Sequence, residues 1–181
     1  MWLISQARWD VSVKEEKILD LLDENELFCA CAASRMASRA VTQLYDLVLM
    51  PTGLKATQFI MLRAIHHAEE IAQCKYAREN SVAVETLSRR FASLRRQGLV
   101  EVRIGAGHRE RIYRLSEQGL RRLREALPYW QRAQQRLRNT LGEENWQALF
   151  ALSDRVIRAA QDAAQLRAKN HVDEIETPVV A

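Results

Sequence analysis

The chain has 181 residues, 48% hydrophobic and 28% charged, so it can bury one sizeable core but is too short for two full domains. Six glycines and three prolines disfavour collagen, low-complexity sequence and an all-β barrel, and favour long helices. No apolar run approaches the roughly 18 residues of a membrane span, the N-terminus lacks a secretory signal pattern, and three cysteines make no disulfide framework, so we expect a cytoplasmic protein without a membrane partner.

The first 80 residues predict helices. Residues 1–23 predict a short helix, and apolar residues spaced at threes and fours predict a helix of about six turns from Glu26 to Leu49. Pro51-Thr52-Gly53 ends that helix. A second helix follows Leu54 and fades near residues 68–70, and a short third helix covers residues 73–80.

In the next segment the spacing of apolar residues changes from the period of a helix to the period of a strand. Leu87, Phe91 and Leu94 form one apolar stripe of a helix that Gly98 ends. Two segments of period two, residues 99–103 and 111–115, then flank a glycine turn and predict a β-hairpin. A helix, a turn, a second amphipathic helix and a hairpin make a winged helix-turn-helix, whose second helix enters the DNA major groove.

The remaining residues predict two more helices. Ser116 caps the first, Pro128 bends it, and Gly142 separates it from the second, which covers residues 143–167. The expected fold class is mostly α, with a winged lobe between terminal helices that form a dimerisation domain. The predicted parts are N-terminal dimerisation helices (1–53), the DNA-binding lobe (54–127), C-terminal dimerisation helices (128–169) and a disordered tail (170–181).

The charge is unevenly distributed along the chain. Residues 84–125 contain eleven arginines and five glutamates, a net +6, whereas the whole chain carries +4 and the other 139 residues therefore sum to −2. The positive charge thus coincides with the element whose shape suits a groove, which favours duplex DNA as the partner. Two other interpretations remain, a merely solvated arginine face and a winged-helix module that binds an acidic protein without specific DNA binding.

Several side chains of the predicted recognition helix and wing can reach DNA. Arg89 is the candidate for a bidentate contact with guanine, whereas Arg90 either contacts a phosphate or pairs with Glu85. Short hydroxyls on the helix suit base edges or phosphates, and the basic residues around the glycine turn suit phosphate or minor-groove contacts. The candidate DNA-binding residues are Thr86, Ser88, Arg89, Arg90, Ser93, His108, Arg109 and Arg111.

The chain resembles the MarR family of bacterial regulators from about Glu26 to Ala160. The segments that carry the resemblance are residues 37–46 (ASRAVTQLYD), 51–54 (PTGL), 57–59 (TQF), 86–90 (TLSRR), 97–100 (QGLV) and 113–119 (YRLSEQG). The resemblance implies a homodimer that reads a palindromic operator and represses until a small ligand or thiol oxidation relieves it. It also implies an effector pocket near Arg39, Tyr45 and Phe59. One departure is Gly107, where the family's wing usually carries an aspartate that stiffens it.

The apolar pattern of the terminal helices independently supports dimerisation. A lobe of about 70 residues leaves helices at both ends whose wide apolar faces one lobe cannot cover. A partner chain would cover them, and an intramolecular bundle is the alternative.

The cysteines allow two interpretations. Cys29 and Cys31 lie on different faces of one helix, so they cannot form a local disulfide, and both suit a role as small packed residues. The alternative is a peroxide-sensing regulator using Cys31, because Cys31 precedes Tyr45 by 14 residues, as in the hydroperoxide-sensing branch of the family. That branch has a second tyrosine where this chain has Arg35. Cys74 is expected to be partly buried and inert.

The sequence shows little sign of metal binding or catalysis. His66, His67 and the nearby Glu69, Glu70 and Cys74 match no zinc spacing, and the histidines suit the negative end of a helix dipole. No nucleophile elbow, phosphate-binding glycine loop or metalloprotease motif is found. We therefore expect no metal, no cofactor and no enzymatic activity.

Overall fold

The computed structural model describes residues 29–105 and 110–175, with side-chain surroundings up to residue 163. The chain divides into two units, Met1–Gln43 and Leu44–Ala181, and the winged lobe belongs to the second. The elements are α1 (Ala30–Leu49), a 3-10 turn (Met50–Thr52), α2 (Ala56–Ala68), β1 (Glu70–Ala72), α3 (Gln73–Glu79), α4 (Val84–Arg96), β2 (Val100–Ile104), β3 (Arg111–Leu115) and α5 (Glu117–Ile175).

The strands form an antiparallel sheet in the order β1-β3-β2. The β2–β3 hairpin is the predicted wing, with Val102 opposite Tyr113. Strand β1 corrects the expectation that α2 merely fades near residue 70, since Ile71 pairs with Tyr113 and adds a third strand. Three residues are too few to show a period of two, which explains why the sequence pattern missed the strand.

A single apolar cluster joins α2, α4 and the sheet. The predicted stripe of α4 is confirmed, because Leu87, Phe91 and Leu94 are all fully buried. The ring of Phe91 stacks on Tyr113 of β3, with 3.9 Å between centroids and 7° between planes. Other members of the cluster are Leu49, Leu54, Phe59, Leu62, Ile65, Ile71, Leu99, Val100 and Leu123.

One buried amide connects α3, α4 and β3. Gln73, only 5% exposed, donates a hydrogen bond to Ser88 Oγ at 2.6 Å and lies 3.4 Å from the carbonyl oxygen of Val84. Its Oε1 accepts a hydrogen bond from the Tyr113 hydroxyl at 3.3 Å. The amide thus satisfies polar groups that burial would otherwise leave without partners.

Side chains also fix the connection between α1 and α2. Asp46 Oδ1 accepts a hydrogen bond from the backbone N–H of Ala56 at 2.6 Å and so caps the N-terminus of α2. The Thr52 hydroxyl donates to the carbonyl of Leu49, and Arg122 Nη1 donates to the carbonyl of Thr52 at 2.6 Å. The last contact ties this turn to α5.

The start of α5 packs closely on the end of α4. Ser116 caps α5 as predicted, since its Oγ accepts from the N–H of Gly119 at 2.9 Å, and its hydroxyl donates to the carbonyl of Gly98. Gly98 has a φ of 67°, as expected for a glycine that ends a helix. A Cβ on Gly119 would lie 1.9 Å from the carbonyl oxygen of Leu99, so this approach requires glycine.

Several predicted boundaries need correction. Helix α1 begins at Ala30 rather than Glu26. Helical geometry continues through Pro128, and the chain leaves it at Gly142, whose φ is 77°. The last helix extends to Ile175, past both its predicted end at 167 and the start of the predicted tail. The helix predicted for residues 1–23 lies outside the described residues.

We predict that Gln73→Leu lowers the free energy of unfolding by about 1–3 kcal/mol, because it leaves the buried Tyr113 hydroxyl and Ser88 without their partner. Urea denaturation measures the change. The matched control is Gln97→Ala, since Gln97 is exposed and bonds only Ser93, and its effect should stay within about 0.5 kcal/mol. Equal stability of Gln73→Leu and wild type would contradict the role given to the amide.

We predict that Gly119→Ala destabilises the protein by about 2 kcal/mol or more. Alanine gains about 1 kcal/mol in helix propensity, but its methyl group meets the Leu99 carbonyl and forces α5 away from the sheet. Thermal unfolding checks this, with Gln118→Ala at the exposed neighbouring position as the control. A stabilised Gly119→Ala variant would show that α5 does not pack as described.

Candidate nucleic-acid interface

The outer face of α4 is rich in arginine. Arg89, Arg90, Arg95 and Arg96 are all exposed, and none of the ion pairs found among the described residues involves them. The only acidic residue of this helix is Glu85. Because the opposite face of α4 is buried in the core, these guanidinium groups lie on the side of the helix that faces outward.

The hydroxyl residues of α4 are less available than the sequence suggested. Ser88 is half-buried and its Oγ is engaged by Gln73. Ser93 is also half-buried and accepts a hydrogen bond from Gln97 Nε2 at 3.1 Å. Thr86 is half-buried as well, so the arginines dominate the exposed chemistry of this face.

Arg90 occupies the flank of α4 next to α3. The predicted pair with Glu85 is absent from the ion pairs of the described residues, and Arg90 lies close to Tyr76. Burial raises the pKa of Tyr76, and the nearby positive charge of Arg90 opposes that rise. Tyr76 in turn contacts Phe91 edge to face, so Arg90 borders the aromatic core.

The wing contributes fewer free charges than its composition suggests. Arg103 of β2 pairs with Glu70 of β1 at 2.6 Å, and Arg114 of β3 pairs with Glu101 at 2.7 Å. The first pair joins the two outer strands across β3, the second joins neighbouring strands, and both offset part of the positive charge counted from the sequence. Arg111 is exposed at the start of β3. His108 and Arg109 lie outside the described residues.

Two arginines at the start of α5 also lie near carboxylates. Arg121 approaches Glu117 and Arg122 approaches Glu125, each at 3.7 Å. Ion pairs therefore offset part of the positive charge of the hairpin and α5, whereas no ion pair found among the described residues offsets the arginines of α4.

The residues of the predicted effector pocket are placed differently from one another. Phe59 lines a cavity of about 700 Å³ between α2 and α5. Tyr45 is not among the lining residues; its hydroxyl donates a hydrogen bond to Gln134 Oε1, and burial raises its pKa against the opposing charge of Arg63. Arg39 is exposed on α1, within the unit Met1–Gln43.

The cysteines are more exposed than expected. Cys74 is exposed, so the expectation of partial burial is wrong, and Cys29 and Cys31 are exposed as well. Redox sensing at Cys31 stays a prediction.

Within residues 29–105 and 110–175, no group of three or more His, Cys, Asp or Glu side chains could hold a metal ion. No helix in the same residues is long and apolar enough to cross a membrane.

Comparisons with known proteins place the chain among regulators. No protein-family model and no curated protein matches the sequence. Among solved structures, the M. tuberculosis transcriptional regulator MosR in complex with DNA is 32% identical, with a TM-score of 0.69, and the match covers 75% of this chain and 98% of that one.

Two more distant structures share the fold. A mutant of E. coli MarR with operator DNA is 23% identical, with a TM-score of 0.66 and coverage of 75% of this chain and 99% of that chain. AbsC from Streptomyces coelicolor, described as a MarR family transcriptional regulator, is 19% identical, also with a TM-score of 0.66, over 78% of this chain and 97% of its own. The order of elements, the winged lobe and the near-complete match to MosR lead to one conclusion: the chain belongs to the MarR family of transcriptional regulators.

Proposed function

We propose that the protein is a homodimer that binds palindromic duplex DNA with α4 in the major groove and the β2–β3 wing along the neighbouring backbone. The observation that carries this proposal is the set of exposed arginines on α4, which form no ion pair with any residue that the structure describes. Such side chains release counterions from phosphates and can form bidentate contacts with guanine. The DNA in the MosR complex supports the same partner for this chain.

Within this proposal the α4 residues have different roles. Arg89, at the middle of the outer face, reads a base, and Arg90, at the flank, contacts a phosphate. Thr86, Ser88 and Ser93 supply further contacts, those of Ser88 and Ser93 being limited by hydrogen bonds to neighbouring side chains. The wing residues His108, Arg109 and Arg111 hold the backbone or the minor groove.

The dimer would form through the end of α5. Large apolar side chains there are exposed on one helix face. A soluble monomer rarely leaves so many in one patch, and a second copy related by a two-fold axis would bury them. Recognition helices about 34 Å apart, one turn of DNA, then follow from the symmetry. The exposed residues are Leu149, Phe150, Leu152, Val156 and Ile157.

In this proposal the protein binds DNA and catalyses no reaction. Because its partner is duplex DNA, it acts in the cytoplasm. Its output is repression that a small ligand or thiol oxidation relieves. The Streptomyces coelicolor transcriptional regulator PcaV, whose structure is in complex with its natural ligand, is 21% identical over 74% of this chain. A protein with the fold of this chain can therefore bind a small-molecule effector.

We predict that Arg89→Ala weakens binding to a selected operator duplex by about 1–3 kcal/mol and relaxes base preference, because the guanidinium contacts a base. Fluorescence anisotropy with a duplex selected from a random library measures both. Arg103→Ala is the matched control, since its guanidinium is engaged by Glu70 and should contribute much less. Equal losses on selected and random DNA would remove Arg89 from base recognition.

We predict that Phe150→Glu raises the dimer dissociation constant on the order of 100-fold, because a two-fold interface loses two buried aromatic side chains. Analytical ultracentrifugation measures the constant. Ala151→Glu introduces the same charge on the opposite helix face, so it should leave the dimer intact. Equal dissociation of both variants, or none in Phe150→Glu, would place the interface elsewhere.

A further inference from the structure

Glu85 lies at the centre of the outer face of α4. Residues four apart on an α-helix share a face, so Glu85 lies on the same face as Arg89 of the next turn. That face is opposite the one that carries the fully buried side chains of Leu87 and Leu94. Glu85 is itself exposed. The packing that turns Arg89 outward therefore turns this carboxylate outward as well.

The carboxylate of Glu85 forms no ion pair with any residue that the structure describes. Arg89 stands four residues away, at the spacing that commonly gives an ion pair on a helix, and is not paired with it. In the sheet, by contrast, Glu70 pairs with Arg103 at 2.6 Å. Glu85 thus presents an uncompensated negative charge on a surface that is otherwise basic.

A negative charge at this position has a cost for a protein that binds duplex DNA. Phosphates attract arginine and repel a carboxylate, so a glutamate that faced only phosphates would weaken binding to every sequence. A glutamate in the first turn also interacts favourably with the helix dipole, but that interaction does not require the outward-facing position. The first residues of a recognition helix are those that approach base edges, where amino groups can donate a hydrogen bond to a carboxylate.

Cytosine suits such a carboxylate better than the other bases do. In the major groove its N4 amino group lies beside a C5–H group, which carries no lone pair. The N6 amino group of adenine lies beside N7, an acceptor that repels a carboxylate oxygen. Guanine and thymine present carbonyl acceptors in place of an amino group. A carboxylate at a base edge therefore selects cytosine and disfavours guanine and thymine most strongly.

We propose that Glu85 is a specificity-determining residue that accepts a hydrogen bond from the N4 amino group of one cytosine in each half-site. The inference rests on the proposed function, because it requires α4 in the major groove. Four residues separate Glu85 from Arg89, which is about 6 Å along the helix and less than two base-pair steps of about 3.4 Å. The cytosine therefore lies within two base pairs of the guanine that Arg89 contacts.

Fluorescence anisotropy with Glu85→Ala tests this role, because a base contact and simple charge repulsion give opposite results. The two probes are an operator that the wild-type protein selects from a random library and a random duplex of equal length. We expect the variant to bind the operator at least about tenfold more weakly, because each half-site loses a charge-assisted hydrogen bond. We expect it to bind the random duplex about threefold more tightly, because the repulsion of phosphates is removed.

The matched control is Glu79→Ala, which removes the same charge from an exposed position on α3. It should leave the ratio of operator affinity to random-duplex affinity unchanged, because Glu79 lies outside the recognition helix.

Substituting the operator base pairs one at a time, in both half-sites, identifies the base that Glu85 contacts. Exchanging the cytosine for thymine replaces an amino donor by a carbonyl acceptor. We expect this exchange to weaken wild-type binding at least about tenfold and binding by Glu85→Ala less than about threefold. The position should lie within two base pairs of the one at which Arg89→Ala relaxes base preference.

Three results would overturn the role of Glu85: tighter operator binding by Glu85→Ala, an equal loss of operator binding in Glu79→Ala, or retention by Glu85→Ala of every cytosine preference of the wild-type protein. In each case, selective binding of the operator by the wild-type protein leaves the proposed function standing. Equal wild-type affinity for selected and random duplexes would overturn the proposed function and this inference with it.

Discussion

The stack of Phe91 on Tyr113 is the contact on which the geometry of the lobe depends. Phe91 is the central buried residue of α4 and Tyr113 is the middle residue of β3, which pairs with both other strands. The near-parallel rings hold the helix against the sheet, and Gln73 fixes the Tyr113 hydroxyl and, through Ser88, the same helix. One aromatic pair and one amide therefore set how α4 is presented relative to the wing.

This packing decides which charges are free. With one face of α4 buried, its arginines point away from the core, whereas Arg103 and Arg114 of the sheet pair with carboxylates on other strands. Exposed ion pairs of this kind contribute little to stability. Their main consequence is electrostatic, because they reduce the uncompensated positive charge of the sheet and leave that of α4 in place.

Long amphipathic elements were predictable from the sequence because their periods repeat several times. The stripe of α4, the hairpin and the turns at Gly98 and Gly142 were all expected and are confirmed. Strand β1 was not, since it is held by pairing with β3 rather than by a pattern of its own. Pro128 lies inside α5, and the bend expected there stays a prediction.

The candidate site was predictable in part. The arginines of α4 follow from composition and period, but the engagement of Ser88 by Gln73 depends on residues 15 positions apart meeting in space. Of the three residues expected to form a pocket, Phe59 alone lines the cavity, because its walls belong to α2 and α5, which are far apart in sequence. Long-range contacts of this kind leave no local signal.

We propose that two copies of α4 read one face of duplex DNA. Binding to a selected inverted repeat, compared with the same repeat carrying five extra base pairs between its half-sites, tests it most directly, because half a helical turn rotates one half-site to the opposite face. We expect the insertion to reduce binding to the level of random DNA. Unchanged affinity for the lengthened repeat would contradict it.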